Sequence, residues 1–235
     1  MGDSKKVIVF VFFGEQYLEQ FSICAETIPL DWNVHVITDC KVNLHRGYFI
    51  HRVETPATVY EMLTFRKRIP EVIDINKYDF VYYSDPDILF NGDIMDRQEY
   101  CVDHVLLAYE PNTSMRHPCM RGGFSESELD HMESVKCAAI NGGFYGVPKS
   151  QYKFFDIYRT ICDLFTSQFP EEKSIDQWVL NNIYHRHLIN CWLMTDVKFH
   201  PQEQEDKSFG MVNHYIGMGM AKAELMRSEL KRLKG

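Results

Sequence analysis

The sequence lacks several features that mark specialised classes of protein. No apolar run is long enough to cross a bilayer, and no low-complexity segment predicts disorder. Positive charge is not in excess: the net charge is −8, which argues against a nucleic-acid binder because such proteins need a basic face. No Cys-x-x-Cys pair is present, so a structural zinc site is not predicted.

The cysteine usage indicates the compartment. There are seven cysteines, an odd number, and several lie within apolar runs as small core residues do. This usage fits a reducing compartment. The first apolar run, at 7–13, is too short for a signal peptide. We therefore predict a cytoplasmic protein without a transmembrane segment.

The periodicity of the chain predicts an α/β fold. Apolar runs typical of buried parallel strands stand at 7–13, 34–38 and 80–84. Apolar residues at helical spacing occupy 15–27 and 58–67 between them. This β-α-β-α-β order predicts a doubly wound, mostly parallel central sheet flanked by helices. Later strands are predicted at 102–109, 138–147 and 187–195, and later helices after Ser125 and at 150–166, 175–185 and 221–234.

Two carboxylates end the strand predicted at 80–84. Asp85 and Asp87 follow the apolar run, separated by Pro86. Acids at the end of a core strand are costly unless positive charge meets them, and hard cations such as Mg²⁺ or Mn²⁺ prefer oxygen ligands. In an extended segment both side chains lie on one side, at the strand end where open α/β sheets bind ligands. The alternative is an ordinary solvated turn.

A series of motifs resembles the sugar-nucleotide glycosyltransferases with the GT-A fold, most closely the glycogenin and lipopolysaccharide galactosyltransferase family. In chain order these are Arg66, Asp85-Pro86-Asp87 with Gly92-Asp93, Asn141-Gly142-Gly143, Asp176-Gln177 with Asn181, and His214 with Gly217. Tyr17 and Asp39, after the first and second strands, also fall where that family contacts the nucleotide. The resemblance covers 7–222 and implies a GT-A-type fold.

The resemblance also implies an activity and a site. The activity is metal-dependent transfer of a hexose from a nucleotide-diphosphate sugar, taken as a UDP-sugar, to a glycan, glycoconjugate or protein acceptor, with retention. The implied ligands of Mn²⁺ or Mg²⁺ are Asp85, Asp87 and His214. The implied nucleotide-binding residues are Tyr17, Asp39, Arg66, Asp85, Gly217 and Lys222. The implied catalytic residues, which orient the sugar, are Asn141, Asp176 and Gln177.

Each of these residues also has a structural interpretation. These are a core aromatic for Tyr17, a strand-end turn for Asp39, a surface charge for Arg66, a β-bulge for Asn141, helix capping for Asp176 and Gln177, and a hydrogen-bonded loop histidine for His214. The sequence also departs from the family near its end. There the family has Gly-x-x-Lys-Pro, whereas here Gly217 is followed by Met218-Gly-Met-Ala-Lys222, which changes the register of Lys222.

We predict a single catalytic domain over 1–235, with a nucleotide-binding half at 1–100, a sugar and acceptor half at 101–220 and an amphipathic helix at 221–235. That helix is expected to pack on the domain, and contact with an anionic membrane surface is the alternative. Two other functions stay open: a sugar-phosphate nucleotidyltransferase and a non-catalytic nucleotide-sugar binding protein. The first usually needs a glycine-rich basic loop, whereas here Phe13-Gly-Glu-Gln16 has one glycine and an acid.

Overall fold

The computed structural model describes residues 5–43, 47–92, 102–111, 113–199, 212–216 and 222–234. Its strands are β1 (Lys6–Phe12), β2 (Asn33–Thr38), β3 (Phe49–Arg52), β4 (Phe80–Ser84), β5 (Ile88–Phe90), β6 (Val105–Glu110), β7 (Ala139–Pro148), β8 (Cys191–Met194), β9 (Val197–Phe199) and β10 (Val212–His214). Its helices are α1 (Glu15–Cys24), α2 (Val59–Thr64), α3 (Ile69–Val72), α4 (Glu126–Ser134), α5 (Lys153–Gln168), α6 (Ile175–His185) and α7 (Lys222–Lys234).

Among the described strands, seven form the central sheet, in the order β3-β2-β1-β4-β7-β6-β8. Neighbouring strands are parallel except around β7, which runs antiparallel to both β4 and β6. Three further strands form a smaller sheet in the order β5-β10-β9. The predicted α/β class, with a mostly parallel central sheet flanked by helices, is confirmed and is compatible with a GT-A-like doubly wound arrangement.

Both faces of the central sheet are buried, which explains the continuous apolar run of β1. Ile8 and Phe10 face a core that also contains Phe21 of α1. Val7 and Val9, one residue out of phase, face a second core under α5 and α6. Because successive side chains of a strand point to opposite faces, a strand covered on both sides must be apolar at every position.

Side-chain capping was predicted at the starts of two helices, α4 and α6, and is observed at one of them. Ser125 and Glu128 form the predicted capping box at the start of α4. The capping predicted for Ser174 is wrong: α6 begins where expected, but the Ser174 side chain makes no cap hydrogen bond. The side chain of Gln177 instead reaches the carboxylate of Glu110 at 3.3 Å. A tertiary acceptor thus replaces the local one.

Helix α7 packs on the domain through its apolar face. Ala223, Met226 and Leu230 are buried in the core beside α1. An exposed ion pair joins Arg227 to Glu19 of α1, and another joins Lys234 to Glu26 in the turn after α1. The face that a membrane surface would have to contact is therefore already covered. Within the described ranges, none of the helices combines the length and the apolar character needed to cross a bilayer.

Candidate metal centre

A turn between the two sheets carries the acidic pair. Strand β4 ends at Ser84, the chain turns at Pro86 and Asp87, and β5 begins at Ile88 in the smaller sheet. The segment is therefore a turn and not the extended continuation that was predicted, because the chain changes sheets there. Strand β5 pairs antiparallel with β10 so that His214 lies opposite Ile88. This register brings a histidine from the end of the chain to the two acids.

Asp85, Asp87 and His214 form one cluster. One ligand atom of each lies within 4.8 Å of the others. Nε2 of His214 is 3.2 Å from Oδ1 of Asp87 and 3.9 Å from Oδ2 of Asp85. The three side chains are 25%, 11% and 6% exposed in the order Asp85, Asp87, His214. Two carboxylates and an imidazole, largely shielded from water, suit Mn²⁺ or Mg²⁺, so the residues present fit the predicted ion.

Positive side chains compensate the buried acids. Nζ of Lys222 lies 2.5 Å from Oδ2 of Asp87. Burial alone would raise the pKa of Asp87, but His214 and Lys222 outweigh it and lower this pKa to about 2. Burial raises the pKa of Asp85 despite the nearby Arg66. Burial opposes protonation of His214, yet Asp87 and Asp85 raise its pKa. The cluster attracts positive charge, as a cation site must.

Arg66 is buried and is not the surface charge of the structural interpretation. Its guanidinium lies 3.0 Å from Oδ2 of Asp176 and 3.5 Å from Oδ1 of Asp85. It also lies over the ring of Tyr83, 4.3 Å from the centroid, and donates to the carbonyl of Gly142. Tyr83 in turn donates its hydroxyl proton to Asp85. Arg66 therefore links a candidate metal ligand to a residue predicted to contact the sugar.

The glycines of β7 make room for these side chains. Leu107 pairs with Tyr145 and Ala108 pairs with Asn141, so the register of β7 against β6 shifts between them. A register shift at Asn141 agrees with its interpretation as part of an irregular strand. A Cβ atom on Gly143 would lie 2.2 Å from Cε1 of His214. Glycine is required there because another group approaches the backbone so closely.

A pocket of about 300 Å³ opens beside the cluster. Five predicted residues line it: Tyr17, Arg66, Asp85, Asp87 and Lys222. Much of the remaining wall is apolar and comes from the end of β1, the residue after it, and α2: Val11, Phe12, Phe13, Val59, Met62 and Leu63. The volume is at the lower end of the range for small-molecule sites, and apolar walls with a few convergent charges are typical of them.

Asp39 does not line this pocket. Its carboxylate accepts hydrogen bonds from the Gly14 N–H at 3.0 Å and from the Thr55 hydroxyl at 2.7 Å. Burial would raise the pKa of Asp39, but these hydrogen bonds outweigh it and lower the pKa. Asp39, directly after β2, therefore ties the end of that strand to the turn that follows β1. Gly217 and Asp93 lie outside the described residues.

The predicted catalytic residues are held by Arg66 and Glu110. Asp176 pairs with Arg66, while the amides of Asn141 and Gln177 both reach the carboxylate of Glu110. Sequence reasoning missed Glu110 and Tyr83. Glu110 had a detectable signal, because it is an acid at the end of an apolar strand, as Asp85 is. Tyr83 had no such signal, since a tyrosine within an apolar run is usually a core residue.

A scan against models of known protein families and a search of curated proteins both find no match for this chain.

Proposed function

We propose that this protein is a metal-dependent glycosyltransferase that moves a hexose from a UDP-sugar to a hydroxyl of a glycan, glycoconjugate or protein, with retention. The observation that carries the proposal is the convergence of Asp85, Asp87 and His214 beside a pocket. His214 comes from a distant part of the chain, so two acids that are neighbours in sequence do not by themselves account for the cluster. The ordered motifs that resemble the family support the same reading.

The pocket supports binding of a nucleoside diphosphate. Tyr17 is 39% exposed in its wall and offers a ring face on which a base stacks. The apolar residues of α2 complete that wall. Lys222, at the start of α7, places its ammonium beside Asp87, where it would meet the phosphates. The bound nucleotide would thus run from Tyr17 towards the metal cluster.

The metal cluster supports departure of the diphosphate. A bound Mn²⁺ or Mg²⁺ ion supplies positive charge that stabilises the leaving diphosphate. Asp85 and Asp87, with His214, would hold that ion. Arg66 fixes Asp85 and Asp176 relative to each other through its two ion pairs. Asp176 would then accept hydrogen bonds from sugar hydroxyls, since a carboxylate is an acceptor when ionised.

A calorimetric screen tests the proposal. UDP and a panel of UDP-hexoses are titrated into the protein with and without Mn²⁺, and UDP release is measured in parallel. We expect Mn²⁺-dependent binding and slow UDP release in the wild type. Asp87→Asn, which keeps the size of the side chain, should abolish the Mn²⁺ dependence. Asp31→Ala is the matched control, because Asp31 is exposed on the surface.

The outcomes separate the candidate functions. Binding that needs no metal, or that survives in Asp87→Asn, contradicts the proposal. Tight binding without UDP release favours a non-catalytic binding protein.

We also propose a cytoplasmic location, which the free state of the cysteines among the described residues supports: Cys24, Cys40, Cys119, Cys137, Cys162 and Cys191.

A further inference from the structure

Glu110 ends β6 with a buried carboxylate whose observed partners are neutral. It is 9% exposed. It accepts hydrogen bonds from Nδ2 of Asn141 at 2.8 Å, from Nε2 of Gln177 at 3.3 Å and from the hydroxyl of Thr113 at 2.9 Å. Its donors come from β7, from the first turn of α6 and from the loop after β6. An ionised carboxylate only accepts, so it decides which end of each amide faces it.

The orientation of Asn141 is passed on to the metal cluster. With Nδ2 held by Glu110, Oδ1 of Asn141 accepts from the Gly143 N–H at 2.8 Å. The carbonyl of Gly143 accepts from the Asp85 N–H, also at 2.8 Å. An unbroken series of hydrogen bonds therefore runs from Glu110 to the main chain of Asp85. Reversing the Asn141 amide would place NH₂ against N–H and break this series.

The orientation of Gln177 is fixed at the same carboxylate. Its Nε2 also contacts the sulfur of Met120 at 3.3 Å, so Glu110 is the stronger of its two acceptors. The neighbouring Asp176 is held separately by Arg66 at 3.0 Å. The two groups predicted to contact the sugar at the start of α6 are thus held by different partners.

We propose that Glu110 is a positioning residue, whose carboxylate sets the rotation of the Asn141 and Gln177 amides and so the hydrogen-bond pattern presented to the donor sugar. This inference rests on the proposed function for the identity of the ligand, whereas the amide orientation itself does not depend on it. Asp85 and Asp87 have other supports, in Tyr83, Arg66 and Lys222. Loss of Glu110 should therefore affect the sugar more than the metal.

Glu110→Met tests the orientation directly. Both amides donate to the same oxygen of Glu110, Oε2. Methionine is unbranched and close to glutamate in size, but its thioether is only a weak acceptor, so it replaces neither hydrogen bond. We expect the side-chain NH₂ resonances of Asn141 and Gln177 to shift in NMR spectra. Thr113→Val is the matched control, because it removes only the hydroxyl contact to Glu110, on the other oxygen, and should leave both resonances in place. Unchanged resonances in Glu110→Met overturn the proposal.

Calorimetry separates positioning from general damage. In Glu110→Met we expect the Kd for UDP with Mn²⁺ to stay within about twofold of wild type. The Kd for the UDP-hexose that the wild type binds most tightly should rise about tenfold, the equivalent of one lost hydrogen bond. An equal rise in both overturns the positioning role. If the wild type binds no UDP with Mn²⁺, the glycosyltransferase proposal fails, but the NMR result still decides the role of Glu110.

A measurement on the wild type covers the case in which the variant does not fold. The NH₂ protons of Asn141 should exchange with solvent more slowly than those of Asn76, which is exposed. Equal exchange rates overturn the proposed hold by Glu110.

Discussion

Gly143→Ala should disable the candidate metal centre by displacing one ligand. The added Cβ would lie 2.2 Å from Cε1 and 2.7 Å from Nδ1 of His214. Because carbon atoms in contact stay about 3.5 Å apart, the imidazole must move by roughly 1 Å. His214 is 5% exposed and packed, so the shift also strains its surroundings. We expect overpacking to cost about 1–3 kcal/mol of unfolding free energy.

The metal affinity is the decisive measurement for this variant. Moving a ligand should weaken Mn²⁺ binding at least about tenfold, as loss of a supporting hydrogen bond to a ligand does. Gly146→Ala is the matched control on the same strand, since its Cβ would meet Phe80 at 2.6 Å and not His214. It should lower the melting temperature and leave the Mn²⁺ affinity unchanged. A folded Gly143→Ala protein that binds Mn²⁺ as well as the wild type would refute the assignment of His214.

Two further predictions concern charge. Lys222→Gln removes an ammonium 2.5 Å from Oδ2 of Asp87. Mn²⁺ alone should then bind at least about tenfold more tightly, because a competing positive charge is gone, whereas UDP with Mn²⁺ should bind more weakly, because the phosphates lose a partner. A change in the same direction in both titrations contradicts this prediction. His35 hydrogen-bonds to His51 at 2.8 Å, and burial, followed by His51, lowers its pKa to about 4. This folded-state pKa lies below the unfolded value of about 6.5, so between pH 4 and pH 6.5 the unfolded chain binds more protons than the folded protein. The free energy of unfolding therefore falls as the pH falls through that range, by about 1 kcal/mol at pH 5.5. Urea unfolding at pH 7.5 and 5.5 measures the loss, which should shrink in His35→Asn; an equal loss in the variant refutes the reasoning.

The fold was predictable where the pattern is both local and strong. β1 and β4 are apolar at nearly every position, and β2 contains the apolar residues Val34, Val36 and Ile37. The bounds of all three strands were predicted to within one residue. β3 was missed because it is an edge strand whose residues are mostly exposed, so no apolar run marks it. β5 was missed because it is three residues long and continues the apolar run directly after the acidic turn. Both strands are also short, with four residues in β3 and three in β5.

The candidate site was predictable in its residues but not in their connections. The acids after β4 were recognisable from the sequence, because a carboxylate at the end of a buried strand is costly unless positive charge compensates it. Nothing in the sequence shows that Arg66 bridges Asp85 and Asp176, since that contact depends on the packing of α6 against β7. The same holds for Glu110, whose two amide donors lie 31 and 67 residues further along the chain.

The short strand β5 begins one residue after Asp87, in the smaller sheet, and pairs with β10. The candidate ligands thus sit on a seam between an early and a late part of the chain. An ion bound by Asp85, Asp87 and His214 would connect these two parts of the chain, and its binding free energy would add to the free energy of unfolding of the whole protein. Occupancy should therefore be readable as a rise in melting temperature that grows with manganese concentration.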